Sequence, residues 1–161
     1  MRKFEKISFE QFKKDVKDDK SLYETFSLPK RSTKHSAGYD ICSLEDYTIK
    51  PHEAKAFVTG LKVAMNPDEV LYLYTRSSFG YKYCATLANS VGVIDSDFYN
   101  NDDNEGHFRV KIINHGEKDL EVKAGDRIAQ GIFMKYLTVD DEDEITSVRT
   151  GGIGSTNKEE K

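Results

Sequence analysis

The chain has 161 residues, the length of one ordinary domain and long enough to bury a hydrophobic core. Hydrophobic residues make up 37% and charged residues 32%, a composition typical of a globular protein and not of a disordered one. The formal net charge of −4 argues against long nucleic acid as the main ligand, and an anionic ligand would require a local cluster of cations.

The cysteines and the N-terminus limit the cofactors and the location that we expect. Cys42 and Cys84 match no metal-ligand spacing and are expected to be reduced thiols. Residues 1–6 contain basic side chains without an apolar run behind them, so no signal peptide is expected, and no stretch reaches the length of a membrane span. We therefore expect a cytoplasmic protein with no membrane partner.

The first segment, residues 1–29, is predicted to be a helical extension that docks on the body and carries no chemistry. Ser8 and Gln11 have the spacing of a capping box. Three apolar residues then share one helical face, namely Phe9, Phe12 and Val16. The helical pattern ends at residues 18–21, and Pro29 closes the segment.

Residues 30–138 are predicted to form a β-rich core, because short β segments alternate there with turn signals. The run 70–74 is continuously apolar, which indicates burial on both faces. In 107–113, three apolar residues alternate with Arg109 and Lys111. Further strands are predicted at 56–59, 61–65, 120–122 and from 128 onward. Many short strands with no helix between them predict an all-β sandwich, jelly roll or barrel.

Residues 139–161 are predicted to be an acidic linker followed by a flexible, Gly-rich C-terminal arm. The acidic run 140–144 is typical of a solvated linker. The arm contains Arg149, three glycines, Ser155 and Thr156. Glycines let backbone N–H groups approach phosphate oxygens closely, and arginine adds a bidentate cation. The lysine and the spacing of a Walker A loop are missing, and a Gly-rich tail is often simply flexible.

Polar residues lie next to three of the predicted strands: Arg76-Ser77-Ser78, the pair Asp95 and Asp97, and the pair Arg127 and Gln130. The first group brings a cation and two hydroxyls to a strand end, or is only a capped turn. The two carboxylates are a general base, magnesium ligands or part of an Asx turn. The third group alone is compatible with an exposed polar pair, so the residues by themselves leave these alternatives open.

The order of these groups resembles the five sequence motifs of the dUTPase family. Residues 37–41 resemble the first motif, 76–80 the second, 92–98 the third, 125–130 the fourth and 149–156 the fifth. All five occur in the family's order and extend from about residue 30 to the end of the chain. The sequence is most similar to the form carried by phages of Gram-positive bacteria, which also has an N-terminal extension.

The resemblance implies a homotrimer of jelly-roll subunits that hydrolyses dUTP to dUMP and pyrophosphate. Each site is expected to contain motifs from several chains, with the C-terminal tail closing a site whose Asp comes from another chain. The hairpin between the second and third motifs is expected to receive uracil, with Asn89 at the base edge and Gly92 and Ile94 also binding substrate. Phe98 is expected to pack under the deoxyribose and exclude a 2′-hydroxyl.

The resemblance also assigns the reaction. Asp95 matches the catalytic carboxylate that activates a water for in-line attack on the α-phosphorus, and Asp40 matches a supporting carboxylate. A structural role is expected for Asp97. The remaining substrate-binding positions are Arg76, Ser77, Ser78, Gln130, Arg149, Ile153, Gly154 and Ser155. Mg²⁺ is expected to be held by the substrate phosphates and water, without ligands from a protein cage.

Several positions depart from the family pattern. Phe98 replaces the usual Tyr, Ser78 stands where Gly is usual, and Ile153 stands where an aromatic lid residue is usual. Arg149 lies one residue nearer the glycines than is common, and the acidic stretch 100–105 resembles an insertion of about a turn's length. These departures concern lid geometry more than reaction type.

Two alternative functions remain. A dCTP deaminase of the same superfamily also carries Arg-Ser-Ser, but its catalytic Glu would align with Lys111, and it lacks the Asp-rich third motif. A dUTPase that also binds a regulatory protein partner would use the N-terminal helix or the acidic insertion as a contact surface. Measuring pyrophosphate release and ammonia release from different nucleotides would separate the two enzymes.

Overall fold

The structure is a computed structural model that describes residues 1–147, 149 and 151. Within these residues the chain forms twelve strands, three short α-helices and one turn of 3₁₀ helix. The strands are β1 (Lys3–Lys6), β2 (Lys30–Arg31), β3 (Tyr39–Cys42), β4 (Tyr47–Ile49), β5 (Ala54–Val58), β6 (Leu61–Ala64), β7 (Glu69–Thr75), β8 (Thr86–Leu87), β9 (Gly92–Asp95), β10 (Arg109–Ile113), β11 (Leu120–Val122) and β12 (Arg127–Lys135). The helices are α1 (Phe9–Asp15), α2 (Lys20–Thr25) and α3 (Ser77–Tyr83), and the 3₁₀ turn covers Ser96–Phe98.

The strands form one large sheet and three small ones, and every pairing among the described residues is antiparallel. The large sheet has the order β2-β3-β12-β7-β9, so β9 is an edge strand. The small sheets are β5-β10-β8, β1-β6 and β11-β4. The predicted all-β, jelly-roll-like class with little helix is confirmed by this arrangement.

The hydrophobic core lies between the sheets and is built by alternating side chains. In β10, Val110 and Ile112 are buried while Arg109 and Lys111 are exposed, as the alternation predicted. In β7 the expected burial on both faces holds only for residues 69–71. Further along β7, Tyr72 and Tyr74 are half-buried, because they project from the face opposite Leu73 and pack against each other.

The N-terminal segment contains a strand as well as helices. Ser8 caps α1 by accepting a hydrogen bond from the Gln11 N–H at 3.1 Å, as the capping-box spacing predicted, and Phe12 is buried. Two elements were not predicted. β1 pairs with the core strand β6, and α2 begins at Asp19, where the helical pattern of the sequence ends. The segment is therefore joined to the body by backbone hydrogen bonds.

The expectation of strands without intervening helices is wrong at α3, which follows β7 directly. The helix begins after Arg76 and ends at Cys84, whose φ of 51° is left-handed and whose N–H donates to Gly80 O. Its sequence contains two serines, a glycine and three aromatic residues, so intrinsic helix propensity is low. Across residues 1–147, 149 and 151, no helix has the length and apolarity needed to cross a membrane.

Candidate active site

The acidic pair lies at the end of β9. Asp95 is the last residue of the strand and pairs in register with Val70 of β7. The 3₁₀ turn that follows buries Phe98, whereas the side chains of Asp95 and Asp97 remain about half exposed, at 51% and 50%. The turn thus places an aromatic ring inside the protein and two carboxylates at its surface.

A cavity of about 250 Å³, here called the β9 pocket, opens beside this strand. Five residues predicted from the third motif and the preceding hairpin line it: Asn89, Gly92, Ile94, Asp95 and Phe98. The rest of the wall combines apolar side chains with three cations: Leu73, Leu87, Val93, Phe108, Val110, Arg109, Lys111 and Arg149. The predicted nucleoside-binding residues are therefore together in space.

The floor of the β9 pocket is made of close-packed backbone and a tight turn. A Cβ on Gly92 would lie 2.9 Å from Leu73 Cβ, so the backbone approaches that buried side chain too closely for any larger residue. The turn between β8 and β9 presents Asn89. It is closed by a hydrogen bond of 3.0 Å from the Ser90 N–H to Leu87 O, with Ser90 at a φ of 61°.

Arg149, the first residue of the fifth motif, lies on the acidic pair of its own chain. Its Nη2 donates to Asp95 Oδ2 at 2.8 Å and its Nε donates to Asp97 Oδ1 at 3.1 Å. The guanidinium carbon is 5.6 Å from the centre of the Phe98 ring. The expectation that the tail closes a site whose Asp comes from another chain stays a prediction, and the contact seen here lies within one chain. The opposite charges of the pair, within reach of the linker, are the physical reason for it.

A second group of predicted residues, here called the cation cluster, consists of Asp40, Arg76, Arg127 and Gln130. Asp40 on β3, Gln130 on β12 and Tyr74 on β7 are successive partners across the large sheet, and Arg76 follows β7. Arg127 Nη1 is 3.3 Å and Arg76 Nε 3.7 Å from the carboxylate of Asp40. Two cations around one carboxylate leave a local positive charge in an acidic protein.

Serine hydroxyls surround the cation cluster, and one of them, that of Ser32, hydrogen-bonds to two of its members. Ser32 Oγ donates to Asp40 Oδ2 at 2.5 Å and accepts from Arg127 at 3.0 Å. Ser77 and Ser78 are exposed in the first turn of α3, and Ser77 lines a second cavity of about 460 Å³ together with Arg76. Burial and the nearby Asp40 raise the pKa of the Cys42 thiol, which therefore stays protonated beside the cluster.

Asp95 in the β9 pocket and Arg76 in the cation cluster lie at opposite ends of β7. Asp95 is level with Val70 at the start of β7, and Arg76 comes six residues after Val70 along that strand. At the usual rise of a β-strand this separates the two positions by about 20 Å. Within one chain, the predicted catalytic carboxylate thus meets Arg149 but not the predicted phosphate ligands Arg76 and Gln130 of the cation cluster.

Not all predicted site residues fall in the described part of the chain. Ile153, Gly154 and Ser155 lie outside it, so their expected roles stay predictions. Two ion pairs were not predicted, one between Asp97 and Arg149 and one between Arg127 and Asp40. It was also not predicted that Arg109 and Lys111 line the β9 pocket. The alternation in 107–113 predicted that Arg109 and Lys111 share a polar face of the strand. Only the pairing of β10 with β5 and β8 shows where that face lies.

The described residues contain no group of three or more His, Cys, Asp or Glu side chains that could hold a metal ion. Asp95 and Asp97 are adjacent, but both contact Arg149. A magnesium ion at this site would therefore take most of its ligands from substrate phosphates and water, which suits the preference of Mg²⁺ for few carboxylates.

Comparison with known proteins identifies the family. The dUTPase family model matches residues 24–157. A deoxyuridine 5′-triphosphate nucleotidohydrolase of Lactococcus lactis is 50% identical over 131 residues, covering 81% of this chain and 87% of the relative. The crystal structure of dUTPase from Streptococcus mutans has a TM-score of 0.69 and 41% identity, and it covers 85% of this chain and 98% of its own.

A dUTPase of Staphylococcus bacteriophage 80alpha is similar in fold alone, with a TM-score of 0.64 at 20% identity, covering 97% of this chain and 98% of its own. The five ordered motifs, the all-β fold and the match over most of the length agree with one another. The chain belongs to the dUTPase family.

Proposed function

We propose that this protein hydrolyses dUTP to dUMP and pyrophosphate. The observation that carries the proposal is the β9 pocket, in which an exposed carboxylate, Asp95, lies at the rim of a largely apolar cavity. Such a cavity fits a base and a deoxyribose, and the carboxylate lies where the α-phosphate would follow. Family membership and the names of the relatives support the same reaction.

Recognition of the nucleoside rests on shape. Uracil enters the hairpin at Asn89, whose amide matches the donor and acceptor edge of the base, and a close fit of the pocket backbone around the base excludes a 5-methyl group. Phe98 forms a wall under the sugar and excludes a 2′-hydroxyl by contact. Since Phe98 has no phenol, this exclusion is steric and requires no hydrogen bond.

The chemical step uses Asp95 as a general base. Its carboxylate orients a water and accepts a proton from it. The water oxygen forms a bond to the α-phosphorus as the bond to the bridging oxygen breaks on the opposite side, and pyrophosphate leaves. Mg²⁺, if bound to the triphosphate, would neutralise part of its negative charge. Phosphate oxygens are held by Arg76, Ser77, Ser78, Gln130 and Arg149, with Asp40 orienting the arginines of the cation cluster.

Arg149 must leave Asp95 before the reaction. In the structure its guanidinium lies 2.8 Å from the carboxylate and above Phe98, where water and sugar are proposed to bind. Substrate phosphates offer Arg149 a competing bidentate partner of higher negative charge. The fifth motif with Ile153, Gly154 and Ser155 then closes over the bound nucleotide.

The active form is a homotrimer with sites between subunits. A triphosphate cannot bridge the roughly 20 Å that strand geometry places between Asp95 and Arg76 of one chain while its α-phosphorus is at Asp95. A site that combines the β9 pocket of one subunit with the cation cluster of another removes this separation. Arg149 contacts its own chain in the structure, and in the trimer the tail is proposed to serve a neighbouring site.

The activity is tested by measuring pyrophosphate release from dUTP, dTTP, UTP and dCTP, with ammonia release from dCTP in parallel. We expect selective hydrolysis of dUTP, with dTTP and UTP far poorer substrates. Comparable turnover of UTP or dTTP would contradict the pocket assignment. Ammonia release would indicate the deaminase, although the residue at its catalytic position, Lys111, is a cation in the pocket wall.

A further inference from the structure

The loop that connects Phe98 to β10 is tightly folded on itself. Here the Phe98 loop means residues 98–106. The buried side chain of Asn101 donates to Phe98 O at 2.8 Å and accepts from the N–H groups of Asp103 and Asn104, both at 3.1 Å. Gly106 has a φ of 84°, and a Cβ there would lie 2.6 Å from Phe98 O. The position of Phe98 is therefore coupled to that of the whole loop.

Side chains of the Phe98 loop contact the N-terminal segment, residues 1–26. The Tyr99 hydroxyl donates to the carboxylate of Glu5 on β1. Glu105 accepts from the N–H of Ser8 at 2.9 Å and also from the Ser8 hydroxyl, at the N-terminus of α1. The acidic insertion of the sequence thus binds the helix that precedes the core, and its glutamate is not simply solvated.

Two further residues, Lys62 and His107, complete this support. Lys62 on β6 donates to Asn100 at 2.7 Å and to Glu105 at 3.2 Å, and it pairs in register with Glu5. His107, the residue after the loop, is fully buried, and its Nδ1 lies 2.8 Å from Oδ2 of Asp15 in α1. Its Nε2 accepts from the Gly60 N–H at 2.9 Å, so the proton is on Nδ1 and points to Asp15.

The loop transmits this support to the β9 pocket. Phe98, the first residue of the loop, and Phe108, two residues after its last residue, both line the pocket. No residue of 1–26, all of which are described, is part of the pocket wall itself. Protein interiors are close-packed and transmit small displacements. A shift of the loop by a fraction of an ångström therefore moves the Phe98 ring by a similar amount.

We propose that the N-terminal segment sets the discrimination between 2′-deoxy and 2′-hydroxy sugars, with Tyr99 and Glu105 as positioning residues for Phe98. This inference rests on the proposed function. A methyl-sized change in the depth of the sugar wall decides whether a 2′-hydroxyl fits, so the wall must be held from behind. The N-terminal segment holds it through the hydroxyl of Tyr99 and the carboxylate of Glu105.

The experiment compares Tyr99→Phe with Tyr136→Phe. Each variant loses one hydroxyl hydrogen bond, but Tyr136 donates to Pro67 O and does not contact the Phe98 loop. The quantity measured is the ratio of kcat/KM for dUTP to kcat/KM for UTP. This ratio does not depend on the fraction of folded enzyme, so a purely structural role would leave it unchanged. We expect Tyr99→Phe to lower it about fivefold, the effect of one hydrogen bond, with Tyr136→Phe unchanged.

Substitutions of Glu5 and hydrogen exchange of backbone amides distinguish a positioning role of the Tyr99 hydrogen bond from a purely structural one. Glu5→Gln keeps an acceptor for Tyr99 and should retain the ratio, whereas Glu5→Ala should lower it. Hydrogen exchange of the amides of residues 98–106, without substrate, should be faster in Tyr99→Phe than in Tyr136→Phe. An unchanged ratio in Tyr99→Phe overturns the inference even if the melting temperature falls. If the wild-type protein does not hydrolyse dUTP, the proposed function is wrong. If the exchange rates are the same in both variants, the N-terminal segment does not hold the Phe98 loop in place.

Discussion

The β9 pocket and the cation cluster share one sheet but differ in every physical respect. The pocket is a cavity with largely apolar walls and the carboxylate of Asp95 at its rim, whereas the cluster is an open arrangement of two arginines around Asp40. They match the two ends of a nucleoside triphosphate, one apolar and one anionic. Since about 20 Å of β7 separates Asp95 from Arg76, we propose that each subunit carries complementary halves of a site and that a complete site forms between subunits.

The two regions are also held in place differently. Asp40, Arg127 and Gln130 of the cation cluster lie on the paired strands β3 and β12, and ion pairs with Asp40 hold both arginines. The β9 pocket lies at an edge strand and depends on the Phe98 loop, which the N-terminal segment supports from behind. Mutations should therefore disturb the pocket through distant residues and the cluster only through near ones.

The largest expected effect is that of Asp95→Asn. The amide has the shape of the carboxylate but cannot accept a proton from water, so kcat should fall by the 10²–10⁴ typical of a positioned general base. Affinity for a non-hydrolysable dUTP analogue should be retained, because the substitution changes none of the proposed phosphate ligands. Steady-state kinetics and calorimetric titration measure the two quantities. Near-normal turnover would show that Asp95 is not the base.

A smaller effect is expected from glycine-to-alanine substitutions, which compare how tightly the β9 pocket and the cation cluster are packed. Gly92→Ala places a methyl against the buried Leu73 at 2.9 Å, and overpacking of this kind costs about 1–3 kcal/mol of unfolding free energy. Gly38→Ala, next to Gln130 of the cation cluster, places a methyl 2.4 Å from the amide oxygen of Gln130, and that flexible end can turn away.

The matched pair is compared by urea unfolding and by analogue affinity. Gly38→Ala should cost about 1 kcal/mol or less in stability, yet weaken analogue binding because the Gln130 amide is displaced. If Gly38→Ala destabilises the fold more than Gly92→Ala does, the contrast between a rigid pocket floor and an adaptable cluster is wrong.

The smallest effect concerns pH and the support of the β9 pocket. Burial lowers the pKa of His107 below its ordinary 6.5, against the opposing hydrogen bond of Asp15. The unfolded chain then takes up a proton that the folded chain does not, so unfolding free energy should decrease as pH falls below about 6.5. One proton contributes at most about 1.4 kcal/mol per pH unit.

Urea unfolding at several pH values checks this dependence. His107→Gln should remove that part of the slope, whereas His115→Gln, at an exposed position, should keep it. A wild-type slope retained in His107→Gln would assign the pH dependence to other groups and leave His107 without this role.

Local patterns predicted much of the fold. Alternation in β10 and β11 and the capping residue of α1 are set by neighbouring residues, and all three were predicted from them. β1 contributes one buried side chain, Phe4, between charged neighbours, so its pairing with β6 is decided by distant residues. The same applies to α3, whose helix is imposed by its place after β7 and not by propensity.

The site could be predicted only in part for the same reason. The motifs identified Asn89, Asp95 and Phe98, which are near in sequence and lie in one pocket. Register across the large sheet is non-local, so the motifs could not reveal that Arg76 lies at the other end from Asp95. The role of Glu105 in contacting Ser8 connects residues 97 positions apart, and no local signal marks it.

Mixed trimers test the central claim, that each active site joins the β9 pocket of one subunit to the cation cluster of another. Asp95→Asn and Arg76→Ala should each be nearly inactive. Unfolding and refolding them together in equal amounts should restore activity at about one quarter of the sites, because random assembly pairs an intact Asp95 with a neighbour's intact Arg76 at that frequency. If mixed trimers form, as shown by affinity tags of two kinds, and activity stays at the level of the separate variants, the site lies within one chain and the account is contradicted.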